Sequence, residues 1–164
     1  MAREFLKRKQ PLFKEEHFQI IPMQLTHLSA VLAIEQKSFP QPWSYSLFLG
    51  ELSNRVAVYF VALLDWRVIG YIGLWIILDE AHITTFAIHP SYRKQGYGKK
   101  IFRYALDYTK MKGCQEILLE VRITNVTAQE LYQHFGFTPY GTRKHYYNDG
   151  EDALLMKKIH PVEE

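Results

Sequence analysis

The chain has 164 residues, of which 48% are apolar and 15% aromatic, a composition typical of one globular domain and unlike that of a disordered chain. The 20 Lys and Arg residues exceed the 17 Asp and Glu residues by so little that charge alone does not indicate a nucleic-acid partner. The single cysteine, Cys114, excludes an internal disulfide and is typical of a reducing compartment.

The sequence shows neither a membrane span nor an export signal. The longest apolar run, 68–78, contains two glycines and is shorter than the roughly 18 residues that a span requires. The basic start of the chain is not followed by an apolar segment with a cleavage site, so we expect a cytoplasmic protein. Residues 1–16 are polar and aperiodic. They predict a flexible extension before a single domain at 17–160.

The first third of the chain predicts one strand and two helices. Residues 17–21 alternate as a strand does, and Pro22 ends it. Thr26 is placed to cap a helix whose apolar residues recur at helical spacing. Residues 38–43 contain two prolines and must form a loop, after which Ser44 can cap a short helix.

The middle of the chain predicts three antiparallel strands, a helix and a further strand. The three strands span 56–64, 68–78 and 82–88, and the helix runs from Tyr97 to Lys112. Gly113 stands where a left-handed residue commonly ends a helix, and residues 117–121 form the next strand.

The last third predicts a helix and a hairpin. Apolar residues from Ala128 to Phe135 form the helix, and Gly136 closes it. Two final strands are expected to meet at a tight turn at 148–150. The order of elements is therefore β-α-α-β-β-β-α-β-α-β-β, which predicts an α/β domain with a mixed sheet.

The segment between the third strand of the meander and the following helix carries the most specific motif, Arg93-x-x-Gly96-x-Gly98. The first amides of a helix lack intrahelical partners, and glycines let the backbone close on a ligand, so the motif predicts a phosphate cradle. It lacks the Gly-Lys-Ser/Thr of a P-loop and the third glycine of the dinucleotide-binding fingerprint. Taken alone, it could also be a simple strand–helix turn.

This motif, following a His-Pro step, resembles the pyrophosphate loop of the GNAT acyltransferases. Within that family the chain is most similar to the bacterial ribosomal-protein-alanine N-acetyltransferases, and the similarity extends from about residue 17 to 158. Besides the motif, the matching segments are Phe39…Pro42-Trp43-Ser44, Leu119-Glu120-Val121-Arg122, Asn125, Leu131-Tyr132…Gly136-Phe137, Arg143…Tyr146-Tyr147 and Glu151-Asp152-Ala153.

The resemblance implies a GNAT fold, with a mostly antiparallel mixed sheet of about seven strands and about four helices. It implies acetyl-CoA as co-substrate, bound along a strand that a bulge separates from its neighbour. The residues implied in cofactor binding are Phe86, Ala87, Ile88, Arg93, Lys94, Gln95, Gly96, Tyr97, Gly98, Lys99 and Asn125. Asn125 could instead, or in addition, cap the helix that follows it.

The resemblance also implies two catalytic residues. Glu120 corresponds to the general base and Tyr132 to the general acid. Each has a structural alternative: Glu120 could form an ion pair with Arg122, two residues along the same strand face, and Tyr132 could be a core aromatic. Cys114 is an unsuitable nucleophile because no histidine is near it in sequence, and the seven histidines show no metal-ligand spacing, so we expect no metal.

The acceptor implied by the resemblance is the N-terminal amine of a small-subunit ribosomal protein, with alanine as its first residue. The segments that flank the acceptor in the family correspond here to Phe39, Pro42 and Trp43 and to Tyr146 and Tyr147. These aromatics could equally pack the ends of the sheet. Two other functions stay open: acetylation of a small amine or a lysine side chain, and a silent acyl-CoA-binding module. We expect no direct nucleic-acid or membrane partner.

Overall fold

Residues 17–161 are described by a computed structural model, in which a seven-stranded sheet is flanked by four α-helices. The predicted extension at 1–16 lies outside the described residues. The strands are β1 (Phe18–Pro22), β2 (Ala57–Leu64), β3 (Arg67–Ile77), β4 (Glu80–Ile88), β5 (Glu116–Arg122), β6 (Thr138–Arg143) and β7 (Ala153–Ile159). The helices are α1 (Leu28–Ser38), α2 (Tyr45–Leu52), α3 (Tyr97–Met111) and α4 (Val126–His134). The predicted order of elements is confirmed.

The strands lie in the order β1-β2-β3-β4-β5-β7-β6. Neighbouring strands are antiparallel except β4 and β5, which run parallel. The helix α3 makes the crossover between these two strands, as a parallel connection requires. The mixed, mostly antiparallel α/β fold predicted from the sequence is therefore confirmed.

Helices cover both faces of the sheet because the strands alternate in side-chain direction. On one face the core contains the apolar side of α3 together with Ile117, Leu119 and Val121 of β5. On the opposite face a second cluster joins α1 and α2 to β2, β3 and Ala87 of β4. Glu120 stands between two inward-facing residues of β5, so it points toward the second face.

One local prediction is wrong, and another is confirmed only in part. A 3₁₀ turn at Leu25–His27 precedes α1, so Thr26 lies inside that turn and Gln24 caps it through reciprocal bonds with His27. The predicted turn at 148–150 forms, since the Gly150 amide donates to the Tyr147 carbonyl at 2.8 Å, but the strands do not extend to it: β6 ends at Arg143 and β7 begins at Ala153. The connection is therefore a nine-residue loop, across which Lys144 and the His145 amide bind Asp152. The predicted Ser44 cap is confirmed, since its hydroxyl accepts a bond from the Leu47 amide at 3.3 Å.

Candidate active site

The sheet opens between its two parallel strands. The β4–β5 pairing extends from Glu80 with Glu116 to Ile83 with Leu119, and it ends there. At the same level the register between β3 and β4 shifts past Thr84, which is the bulge expected in this strand. Beyond it, β4 stays paired with β3 from Thr85 to Ile88, while β5 pairs with β7. We call the opening between β4 and β5 the fork.

Glu120 is the first residue of β5 inside the fork. Its Oε2 atom lies 2.6 Å from Nε2 of His82, a residue of β4 that also meets the ring of Trp75 edge-on. The Glu120 side chain is 15% exposed and His82 is 30% exposed, so the pair is reachable from solvent. The predicted alternative, an ion pair between Glu120 and Arg122, is wrong.

Arg122 is bound instead to the loop between β6 and β7. Its Nη1 atom donates to Asp149 Oδ2 and to Glu151 Oε2, both at 2.7 Å, and its guanidinium lies 4.0 Å from the ring centre of Tyr147. The second carboxylate oxygen of Glu151 accepts bonds from the amide and hydroxyl of Thr124. This network fixes Tyr147 against Arg122. Burial raises the pKa of Tyr147, and the charges of Tyr146 and Glu120 add to the increase.

Tyr132 lies on α4 and packs into the α3 side of the core, against Phe102 and Phe137. It is 8% exposed. Burial raises the pKa of its hydroxyl, and the neighbouring Tyr147 contributes to the increase. Tyr132 therefore belongs to the core on the α3 face of the sheet, whereas Glu120 points toward the opposite face. The structure bears out the packing role that the sequence left open for Tyr132.

The predicted cofactor residues form a strand and a loop at one side of the fork. Phe86 and Ile88 point toward the α3 core, and Ala87 points toward the opposite cluster. Residues 93–99, named here the cofactor loop, follow a 3₁₀ turn at Pro90–Tyr92 and include the first three residues of α3. Of the side chains in this loop, that of Tyr97 is buried against Phe18.

The backbone of the cofactor loop suits an anion. Lys94 and Gly96 both have positive φ angles, of 60° and 89°, and Gly96 is the residue immediately before α3. The amides at the start of α3 have no intrahelical carbonyl to bind, so they are available to an anion. The 15-residue helix adds its partial positive charge at the same point. The loop therefore fits the pyrophosphate that the resemblance implies.

Two of the predicted cofactor residues have structural bonds as well. Asn125 caps α4, because its Oδ1 atom accepts a bond from the Ala128 amide at 3.2 Å. Arg93 donates from Nε to the carbonyl of Ile88 and from Nη2 to the hydroxyl of Ser38, both at 2.9 Å. The Arg93 side chain is thus directed back toward the body of the domain.

The predicted acceptor residues lie in two separate loops, 39–43 and the loop between β6 and β7. Residues 39–43, named here the acceptor loop, pack Phe39 and Trp43 against the cluster that includes Ala87. In the other loop Tyr146 meets Tyr147 edge-on, with ring centres 5.0 Å apart. Pro42 is exposed within the acceptor loop.

Glu35 and His82 are site residues that the sequence did not single out. Glu35 is 1% exposed, accepts a bond from the Trp43 amide at 2.9 Å, and is hydrogen-bonded by the hydroxyl of Tyr71. Burial raises the pKa of the Glu35 carboxyl. The sequence did contain a signal for Glu35, because it is a single carboxylate among the apolar positions of a predicted helix. His82 had none, since its partner is 38 residues away.

Residues 27–137 match the acetyltransferase (GNAT) family. The chain belongs to the GNAT acetyltransferase family. It is an N-acetyltransferase, and the alternative of a silent acyl-CoA-binding module is set aside.

Individual relatives agree with this assignment. A Bacillus subtilis (strain 168) protein, provisionally named a [ribosomal protein bS18]-alanine N-acetyltransferase, is 46% identical over 136 residues, covering 82% of this chain and 90% of its own. The crystal structure of the ribosomal-protein-S18-alanine N-acetyltransferase from Escherichia coli superposes with a TM-score of 0.83 at 28% identity, over 90% of this chain and 97% of that one.

A more distant structure shares the fold. It is that of NAA60 from Arabidopsis thaliana in complex with acetyl-CoA, which has a TM-score of 0.77 at 18% identity and covers 87% of this chain and 98% of its own. Within residues 17–161 of our chain, no helix is long and apolar enough to cross a membrane. In the same range, no three His, Cys, Asp or Glu side chains are grouped as metal ligands would be.

Proposed function

We propose that this enzyme transfers acetyl from acetyl-CoA to the N-terminal amine of a small-subunit ribosomal protein whose first residue is alanine. The observation that carries the proposal is Glu120, a partly buried carboxylate bound to His82 at the point where β4 and β5 separate. The names of the relatives from Bacillus subtilis and Escherichia coli support the choice of acceptor. Its ribosomal substrate would place the enzyme in the cytoplasm.

In this proposal acetyl-CoA binds along the open side of β4. The amides of the cofactor loop receive the pyrophosphate, and Asn125, whose cap bond uses only Oδ1, can offer its Nδ2 group to the pantetheine. The backbone of Phe86, Ala87 and Ile88 faces the fork, where a pantetheine chain can take the place of a neighbouring strand. This would bring the thioester to the level of Glu120.

The chemistry is a direct transfer. The neutral acceptor amine attacks the thioester carbonyl, a C–N bond forms, and the C–S bond breaks. Glu120 takes the amine proton, directly or through one water, and His82 holds the carboxylate in position. A terminal amine has a pKa of about 7.7–8.0, so a modest base is sufficient. Tyr132, a phenol that is protonated at neutral pH, supplies a proton to the departing thiolate.

The charges around the fork favour a peptide over a polyamine. A polyamine requires several free carboxylates, and the nearest candidates are Glu151 and Asp152. Glu151 already binds Arg122 and Thr124, and Asp152 binds Lys144 and the His145 amide. The walls are instead aromatic, with Trp43 on one side and Tyr146 and Tyr147 on the other. Flat, rigid side chains of this kind suit an extended peptide with a small first residue.

A competition assay tests the acceptor. Four substrates are offered together with acetyl-CoA: an Ala-initiated ribosomal N-terminal peptide, its N-terminally blocked form, an internal lysine-containing peptide, and spermidine. We expect the free Ala-initiated peptide to be acetylated preferentially, and mass spectrometry locates the acetyl group. Preferred turnover of spermidine, or equal turnover of the blocked peptide, contradicts the N-terminal assignment and leaves the fold intact.

A further inference from the structure

The side chain of Arg93 bridges two loops that the proposed function assigns to different substrates. Arg93 is the first residue of the cofactor loop. Its Nε atom donates to the carbonyl of Ile88, at the end of β4, and its Nη2 atom donates to the hydroxyl of Ser38, both at 2.9 Å. Ser38 is the last residue of α1, and the acceptor loop begins with the next residue.

The bond between Arg93 and Ser38 has a fixed polarity. The Ser38 hydroxyl donates its proton to the carbonyl of Ile34, one turn back in α1, at 2.7 Å. Its oxygen is therefore oriented to accept from the guanidinium. A second contact joins the same two elements, because Nζ of Lys37 lies 3.3 Å from Nε2 of His89. The end of α1 is thus attached to the segment that leads into the cofactor loop.

The other end of the acceptor loop is held by the same helix. Glu35, one turn before Ser38 in α1, accepts the Trp43 amide at 2.9 Å from within the core. Both ends of the five-residue loop are therefore attached to α1, one through a buried carboxylate and the other beside the exposed Arg93. At the Ser38 end, a shift of the cofactor loop is transmitted to the acceptor loop through the Arg93 side chain.

From this geometry we infer that Arg93 is a positioning residue, which couples occupancy of the cofactor loop to the shape of the acceptor loop. The inference rests on the proposed function for the identity of the two substrates. Binding of CoA fixes the loop that follows Arg93, and the guanidinium then fixes Ser38 and Phe39. The acceptor consequently binds more tightly to the CoA complex than to the free enzyme, and by linkage CoA binds more tightly when the acceptor is present.

The test separates the charge of Arg93 from its bridging geometry. Arg93→Lys keeps the positive charge near the proposed pyrophosphate site but loses the planar fork that reaches two acceptors. Ser38→Ala removes the other end of the bridge without altering the cofactor loop. Lys94→Ala is the matched control, since it removes a neighbouring positive charge outside the bridge. Titration calorimetry measures the peptide Kd with and without saturating CoA, and the CoA Kd alone.

We expect CoA to tighten peptide binding to the wild-type enzyme. In Arg93→Lys and in Ser38→Ala this tightening is reduced by a factor of about three to ten, the range of one modest hydrogen bond. The double variant is no worse than either single variant, because both remove the same interaction. In Lys94→Ala the tightening is retained, although CoA itself binds more weakly.

Three outcomes overturn the inference: no tightening in the wild type, full tightening in both single variants, or losses that multiply in the double variant. Thermal unfolding of each variant verifies that it is folded. Failure of the proposed function is seen separately, since the wild-type enzyme then leaves the Ala-initiated peptide unacetylated. In that case the same titrations are carried out with whichever acceptor the competition assay finds to be turned over.

Discussion

At the scale of single residues, Glu120, held by His82, is the residue that we propose takes the proton from the acceptor amine. Replacing Glu120 with Gln keeps the shape of the side chain but removes its capacity to take a proton. We expect kcat to fall by roughly 10²–10⁴, the usual contribution of a general base, while the affinity for acetyl-CoA stays close to that of the wild type. Steady-state kinetics and a CoA titration measure the two quantities.

Glu116 provides a matched control for this substitution. It lies on the same strand and the same face as Glu120, and it pairs with Lys157 at 3.3 Å, outside the fork. Glu116→Gln should therefore retain near wild-type activity. A fully active Glu120→Gln enzyme would reduce Glu120 to a structural partner of His82.

Tyr132 carries the second prediction at this scale. Tyr132→Phe keeps the ring that packs against Phe102 and removes only the hydroxyl, whose pKa burial raises. We expect kcat to fall by about 10², because the departing thiolate loses its proton source, and thermal stability to change little. Tyr108→Phe, at a partly buried tyrosine of the same core, should leave kcat unaltered. If the wild type, Tyr132→Phe and Tyr108→Phe have equal kcat, the role of Tyr132 is limited to packing in the core.

At the scale of elements, the cofactor loop supports a prediction on glycine. A Cβ atom added at Gly98 would stand 3.6 Å from Ile88 and 3.7 Å from Phe86, so Gly98→Ala fits the fold. The branched side chain of Gly98→Val should obstruct the approach of the pyrophosphate to the first turn of α3. We expect acetyl-CoA to raise the Tm of the wild type and of Gly98→Ala, and to raise that of Gly98→Val much less. An equal shift in all three would contradict the anion site.

The elements themselves were largely predictable from the sequence, and their side-chain partners were not. Local signals determine the ends of α2 and α3: Ser44 caps one, and Gly113 has the positive φ expected after the other. The 144–152 loop instead depends on bonds from Arg122 to residues 27 and 29 positions away. The His82–Glu120 contact likewise requires the parallel register of two strands, which no local pattern encodes.

At the scale of the whole molecule, a buried histidine predicts how stability depends on pH. His160 is 8% exposed, and its Nε2 atom lies 3.1 Å from the hydroxyl of Thr109 in α3. Burial lowers the His160 pKa, Lys158 and Lys110 lower it further, and Asp107 opposes them. The unfolded chain therefore binds the proton more readily than the folded one. The free energy of unfolding should fall as the pH drops below about 6.5, the pKa of an unperturbed histidine.

Urea unfolding on both sides of that pH measures the effect. His160→Gln removes the titrating group and keeps a polar partner for Thr109, so its free energy of unfolding should decline less on acidification. The other histidines are the same in both proteins and cancel in the comparison. An identical decline in wild type and variant would show that His160 does not titrate between the two conditions.

The short β4–β5 pairing divides the sheet into two parts. One half consists of β1 to β4 and the other of β5, β7 and β6. The ladder between them has four residue pairs, from Glu80–Glu116 to Ile83–Leu119, and the Gln115 amide adds a bond to the Asp79 carbonyl at 2.6 Å. Each half keeps its own antiparallel ladders. Beyond Ile83 and Leu119 the facing edges of β4 and β5 form no ladder pairs with each other, so an extended ligand can enter the fork without breaking a ladder bond in either half.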